Sequence, residues 1–188
     1  MTGREIYSKL RIIIEIFVTF YGFLPQRLRI TLYNMCCGAH WAIPQVVRYL
    51  TFRTTCKSCG RIINIGAGVK VKEWENLEIG NRVNIHEYCF IDAKGGITIG
   101  DDVSIAHHCS LVAFDHSWAN CDLAIKYNSL TLQPIVIQND VWIGCGVRVL
   151  AGVNIENRTI IAAGAVLTSG NYSKHVYGGV PAKALKAL

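Results

Sequence analysis

The chain has 188 residues, enough for one domain with a sizeable core, and 51% of them are hydrophobic. Its formal net charge of +6 comes without any dense Lys/Arg run, which argues against nucleic acid and leaves phosphate-bearing ligands or an anionic membrane surface. Eight Cys (36, 37, 56, 59, 89, 109, 121 and 145) show no regular disulfide framework and follow no secretory signal with a small-residue cleavage site, so reduced thiols in a cytoplasmic protein are expected.

From Arg4 to Phe23, Ile6, Leu10, Ile13, Phe17 and Phe20 recur at helical spacing, with more Ile and Val on the other faces. The run from Ile12 to Leu24 is thirteen residues long and broken by Glu15, short of the roughly 18 to 20 needed to cross a bilayer. Arg4, Lys9, Arg11, Arg27 and Arg29 flank it and would let it lie on a membrane as a peripheral contact. The simpler expectation is that it packs on the rest of the protein or on a neighbouring subunit. Pro25 ends this helix, and Gly38 and Pro44 punctuate two further short helices over Gln26 to Phe52. Cys56-Lys-Ser-Cys59 has half of a zinc-ribbon spacing with no second pair to match, so it reads as two ordinary thiols and no metal is expected. Residues 1–60 are thus set apart as a helical segment.

From Ile65 an aliphatic residue returns every six positions: Ile65, Val71, Leu77, then after a two-residue slip Ile79, Ile85, Ile91, Ile97, and after another Ile99, Ile105, Leu111. The same period resumes at Ile137, Ile143, Val149, Ile155, Ile161 and Leu167. An α-helix turns about 100° per residue, so a spacing of six makes no buried stripe. A small or β-branched residue four places after most anchors, with Gly, Asn and Asp between, makes each hexad a short strand and a turn. Hexads of this kind build parallel β-helices, in which a strand buries its apolar side only by stacking on the coil below. With three hexads per coil, Ile137 covers Ile155, Ile143 covers Ile161 and Val149 covers Leu167. The slips are lengthened corners, and the solenoid is expected over 61–170. Spacing alone does not fix its handedness.

Between Leu111 and Ile137 the period is interrupted, and a loop over 112–136 leaves the solenoid carrying Phe114-Asp115-His116-Ser117-Trp118 and Leu132-Gln133-Pro134. Long loops without structure of their own are usually functional. The tail, 171–188, holds Gly178-Gly179-Val180-Pro181-Ala182-Lys183 and a final Ala/Leu/Lys run expected to form a short C-terminal helix.

Hexads, a His-bearing loop, Asn139-Asp140-Val141-Trp142-Ile143-Gly144 and the closing Gly-Gly-Val-Pro-Ala-Lys together resemble the hexapeptide-repeat acyltransferases. Within them the chain is most similar to the sugar O-acetyltransferases of galactoside, maltose and exopolysaccharide type, from about Ile65 to the C-terminus. The resemblance implies a mainly β protein, a left-handed parallel β-helix, assembled as a homotrimer with acetyl-CoA in a groove between subunits. It implies transfer of an acetyl group to a hydroxyl of a sugar, with a surface polysaccharide or its precursor as the natural setting, and no metal requirement.

By that resemblance His116 is the catalytic base, a task suited to a neutral imidazole. Asp115 is a candidate to orient the ring by adjacency alone, although neighbouring side chains often point apart. Cys145, after Trp142 and Gly144, falls where the family offers a backbone N–H to the thioester oxygen. Ala163 and Gly164 match the lining of the pantetheine arm, and Lys183 lies in the tail that meets the CoA phosphates. His86 stands where sugar acetyltransferases carry an acceptor-binding Asn, a departure that bears on the acceptor; Tyr88, His107 and His108 are further candidates for that groove. Rival readings are acetylation of an antibiotic-like alcohol and a non-catalytic assembly subunit. A γ-type carbonic anhydrase would need two His five positions apart in the solenoid, and no pair among the six His has that spacing.

Overall fold

The computed structural model describes the backbone of residues 3–188 and the side chains from Leu10 onward. Among the described residues three helices come first, α1 (Gly3–Gly22), α2 (Gln26–Cys36) and α3 (Ala42–Thr55). A solenoid of about six coils follows. Its first coil is β1 (Ser58–Cys59), β2 (Asn64–Ile65) and β3 (Lys70–Lys72); its second β4 (Leu77–Ile79), β5 (Asn84–Ile85) and β6 (Phe90–Asp92); its third β7 (Ile97–Ile99), β8 (Ser104–Ile105) and β9 (Ser110–Val112). An antiparallel hairpin, β10 (Phe114–His116) with β11 (Leu130–Leu132), then leaves the stack. The coils resume with β12 (Ile135–Ile137), β13 (Trp142–Ile143) and β14 (Arg148–Val149), then β15 (Val153–Ile155), β16 (Ile160–Ile161) and β17 (Val166–Leu167). β18 (Gly170–Tyr172) and β19 (His175–Gly178) carry the stack past residue 170, and β20 (Lys183–Ala187) turns back on it.

Strands of successive coils pair in parallel into three faces: β1-β4-β7-β12-β15-β18, β2-β5-β8-β13-β16-β19 and β3-β6-β9-β14-β17. Ile137 pairs with Ile155, Ile143 with Ile161 and Val149 with Leu167, the stacking expected from the hexads. All six side chains are fully buried. Below them the repeat is longer, with Ile79 opposite Ile99, because the corners from third face to first take in residues 73–76 and 93–96.

The corner from first face to second is held by a polar ladder. Asn81 Oδ1 accepts the Arg61 N–H (2.9 Å), Asp101 Oδ1 that of Asn81 (2.7 Å), Asn139 Oδ1 that of Asp101 (2.7 Å) and Asn157 Oδ1 that of Asn139 (2.9 Å). Each coil's side chain thus satisfies the turn amide of the coil below, an amide the strand ladders leave over.

Both ends of the stack are covered. At the bottom the Arg48 guanidinium, buried under α3, donates to Ile65 O (2.9 Å) and Ala39 O (2.7 Å), and Tyr33 Oη donates to Val69 O (2.7 Å). Tyr33 and Phe52 each pack edge to face with Trp74, centroids 5.1 and 5.0 Å apart, and are tilted against each other at 5.9 Å, over the first coil. At the top, the expected C-terminal helix is instead β20, paired antiparallel with β19 from His175↔Ala187 to Gly178↔Lys183. A helix of so few residues is marginal, whereas β19 would otherwise present an open edge.

Helix α1 packs on α3 through Ile14, Val18 and Tyr21, all partly buried. Tyr21 Oη hydrogen-bonds Thr51 (3.0 Å), and Glu15 bridges to Arg53 (3.1 Å) and Arg61 (3.3 Å). The expected stripe of Leu10, Ile13, Phe17 and Phe20 is exposed, so the helix hides its other face; Ile6 lies outside the described side chains.

Ile143→Ala, in the middle of the second-face ladder, is expected to lose about 2–5 kcal/mol in urea denaturation, against about 0.5 or less for Asn84→Ala on the solvent side of the same face.

Candidate active site

Each coil passes from second face to third through a four-residue turn, and these turns stack by hydrogen bonds from Tyr88 N to Ala67 O, His108 N to Glu87 O, Gly146 N to His107 O and Gly164 N to Cys145 O, all 2.8–3.0 Å. Gly68, Tyr88, His108, Gly146 and Gly164 therefore stand in one column, each in the left-handed region with φ between 58° and 74°. Their side chains divide the edge in two. Tyr88 and His108 lay their rings 5.2 Å apart and form an exposed aromatic ledge with His107, whose Nδ1 lies 3.0 Å from His108 Nδ1. Above them a Cβ built on Gly146 or Gly164 would meet nothing within 4 Å, so the ledge gives way to an open slot. Gly144 is different: a Cβ there would sit 2.6 Å from the Ala163 amide, so the coils touch backbone to backbone.

Cys145 is half-buried at the slot's floor, with Ala163 exposed one coil above. The Cys145 carbonyl takes the Gly164 N–H, while its own N–H finds no acceptor among the described residues. His86, exposed below the ledge, has Nδ1 3.8 Å from Glu87 Oε2. Behind the turns, Cys89 Sγ donates to Ala106 O (3.2 Å) and Cys109 Sγ to Gly144 O (3.1 Å). The neighbouring Cys109 thiol, and then burial, push the Cys89 thiol up from its ordinary range. Arg148, not singled out by its sequence context, clamps the column by donating to His108 O (2.7 Å) and Gly146 O (2.9 Å). Its partner at His108 is forty residues away, and no local signal marks that contact.

His116 belongs to a different edge. It ends β10, which leaves at the corner from third face to first, and it is exposed. The Asp115 carboxylate accepts the backbone N–H of His116 (3.1 Å), and the ring's neighbour is Phe114, centroids 6.3 Å apart. The excursion has structure of its own. Beyond the hairpin, Asn128 gathers the tip by accepting the Asn120 N–H (3.0 Å) and donating to Asn120 O (3.2 Å) and Leu123 O (3.3 Å). Trp118, Ile125 and Tyr127 on that tip are each more than 60% exposed. Within one chain the width of the third face thus separates His116 from the slot. Trp142 points from the second face into a cleft of about 320 Å³ lined by Asp102, Asp140, Arg158 and Leu188. Lys183 lies exposed on β20, opposite Gly178. Among the described residues no three His, Cys, Asp or Glu side chains are grouped to hold a metal ion.

Residues 134–169 match the bacterial transferase hexapeptide (six repeats) family. A protein of Escherichia coli (strain K12) named as a lipopolysaccharide biosynthesis O-acetyl transferase, WbbJ, is 30% identical over 136 residues, covering 68% of this chain and 69% of its own. A protein of Mycobacterium tuberculosis named as an acetyltransferase is 31% identical over 128 residues, covering 68% of this chain and 43% of its own. The chain spans about half the length of several curated relatives that it matches. Among solved structures, galactoside acetyltransferase in complex with coenzyme A superposes with a TM-score of 0.76 at 26% identity, over 86% of this chain and 80% of that one. The chain belongs to the hexapeptide-repeat acyltransferase family, and its solenoid is the family's left-handed parallel β-helix.

Gly144→Ala forces a methyl against backbone and is expected to cost about 1–3 kcal/mol from overpacking. Gly164→Ala meets open space and pays only the left-handed backbone, about 1 kcal/mol. Thermal melts of the two variants give that order.

Proposed function

We propose that this chain is an acetyl-CoA-dependent O-acetyltransferase acting on a hydroxyl of a sugar, in the setting of a surface polysaccharide or its precursor, and that it works as a homotrimer. The observation that carries this reading is the division of one edge into an aromatic ledge and an open slot, with a His-bearing arm rooted at another edge. An arm with an exposed apolar tip is suited to reach over a neighbouring chain, where its His meets that chain's slot. The coenzyme A complex of the galactoside enzyme and the name of the Escherichia coli relative support the donor and the acceptor class.

In this mechanism the slot at Gly144, Cys145, Ala163 and Gly164 holds the acyl-bearing arm and Lys183 meets the CoA phosphates, whereas Trp142, in the cleft with Asp102 and Arg158, stands on the far side of the second face. His86 and Tyr88 on the ledge hold the sugar, whose ring can lie against the Tyr88 face. The imidazole of His116 removes the acceptor hydroxyl's proton as the oxygen attacks the thioester carbon. The unpaired Cys145 N–H meets the charge that develops on the thioester oxygen, a role independent of the thiol. As the tetrahedral species collapses, CoA leaves as the thiol, taking the proton from the imidazolium. Asp115 contributes by fixing the backbone of His116. Eight free thiols suit a reducing, cytoplasmic setting.

The test is thiol release from acetyl-CoA, screened over free sugars, nucleotide sugars and antibiotic alcohols; turnover on the alcohols alone would replace the sugar reading with the xenobiotic one. His116→Ala is expected to lower turnover about 10²- to 10⁴-fold with little change in acetyl-CoA affinity. Cys145→Ala is expected to keep most activity, whereas a nucleophilic thiol would lose orders of magnitude. Mixing inactive His116→Ala with inactive Gly164→Trp chains is expected to restore part of the activity, because a site built by two chains can pair a sound arm with a sound slot. Failure to recover any activity in mixed trimers, or a fully active monomer by light scattering, would remove the shared site.

A further inference from the structure

We propose that α1 docks this protein on an anionic lipid surface, lying along it with the side turned away from α3. At about 100° per residue, Leu10, Ile12, Ile13, Ile16, Phe17, Phe20 and Phe23 fall within one continuous arc of about 160°, and between Leu10 and Phe23 no charged residue lies in that arc. All seven are exposed, from 43% at Leu10 to 78% at Phe23. The opposite side of the helix is already used, since Ile14, Val18 and Tyr21 are its part-buried residues and Glu15 its link to Arg53. So many contiguous apolar side chains have no covering within the chain, and an apolar surface of that kind marks an interaction site.

Charge selects the occupant. Residues 1–60 carry eight Lys or Arg against two Glu, whereas residues 61–188 carry eleven of each sign, so the whole net charge of +6 belongs to the helical segment. Arg11 and Arg27, both exposed, flank the apolar run from Ile12 to Leu24 in sequence, while Arg29, Arg48, Arg53 and Lys57 are engaged in hydrogen bonds within the protein. Burying this helix against its own copies would bring equally basic segments together, whereas an anionic headgroup layer complements them. At twenty residues α1 is about 30 Å long, and no described helix is long and apolar enough to cross a membrane, so the helix lies in the interface rather than through it. The inference concerns a surface apart from the slot and the His-bearing arm, and its test does not depend on catalysis.

Flotation of the full chain with phosphatidylglycerol/phosphatidylcholine vesicles reads it directly. Co-flotation is expected with the anionic vesicles, weakening as salt shortens the Debye length, and much less with phosphatidylcholine alone. Phe17→Ser with Phe20→Ser is expected to weaken binding about 10²-fold, from the apolar area withdrawn, without lowering the melting temperature. Arg11→Glu with Arg27→Glu, which leaves the apolar arc whole, is expected to weaken it about tenfold or more. Equal binding to both vesicle types without salt dependence, or unchanged binding by both double variants, overturns the proposal. It is also overturned if the wild-type chain fails to float and the double Phe variant changes particle size in light scattering, which would make the arc an interface between copies.

Discussion

A parallel solenoid sends the hydrogen bonds of each strand to the coils above and below, so its first and last coils begin with unpaired backbone. That constraint governs both ends of this protein. Arg48 and Tyr33 reach up from the helices to Ile65 O and Val69 O, and β20 folds back on β19. A buried guanidinium would cost several kcal/mol alone, but here its donors meet three carbonyls. The helical segment is therefore the floor of the stack, set by backbone satisfaction as much as by the Tyr33, Phe52 and Trp74 cluster above it.

Between the ends, stacking leaves freedom only at the corners. A strand residue has fixed neighbours one coil away, eighteen or twenty positions off in the regular coils, and replacing an Ile in the ladder disturbs the coils it stacks on. A corner residue has its backbone held in the left-handed region but its side chain at the surface, where it can pair with the next coil, as Arg82 does with Asp102 and Arg158 with Asp140 along one edge. The same backbone accepts Tyr, His or Gly along the neighbouring edge, and the choice converts a regular column into ledge and slot. The chemical differentiation of the protein is thus written in turn residues whose conformation the fold supplies regardless.

What the sequence made legible follows from this division. The aliphatic period of six marks the ladders because every sixth residue faces one narrow core, and the two slips were readable because a lengthened corner shifts that period without ending it. The C-terminal strand was not: Lys183 to Ala187 has a helix-favouring composition, and only the open edge of β19, a partner in space, decides its state. Helix α1 shows a related limit. Apolar residues ring it almost fully, so periodicity named the Leu10 to Phe20 stripe without telling which side α3 covers. At the candidate site, motif position brought out His116 and Cys145 one by one, but their places on separate edges depend on how many turns intervene. Arg148 was invisible, since its two carbonyl partners become neighbours only through coil stacking.

The excursion between the third and fourth coils shows why a working arm can be added here at little cost to the core. Ile97 pairs with Ile135 and Ile99 with Ile137 across the insertion, so the first-face ladder continues as though no residues intervened. The penalty for closing a longer loop grows only slowly with length, about 0.6 kcal/mol per doubling. Much of the ordering is local besides, through the β10–β11 pairing and the Asn128 hydrogen bonds at the tip. An arm rooted at a corner can therefore vary in length and tip chemistry while the ladders beneath stay in register. By the same reasoning the catalytic geometry proposed for His116 rests less on the solenoid that carries it than on whatever surface the exposed Trp118, Ile125 and Tyr127 come to lie against.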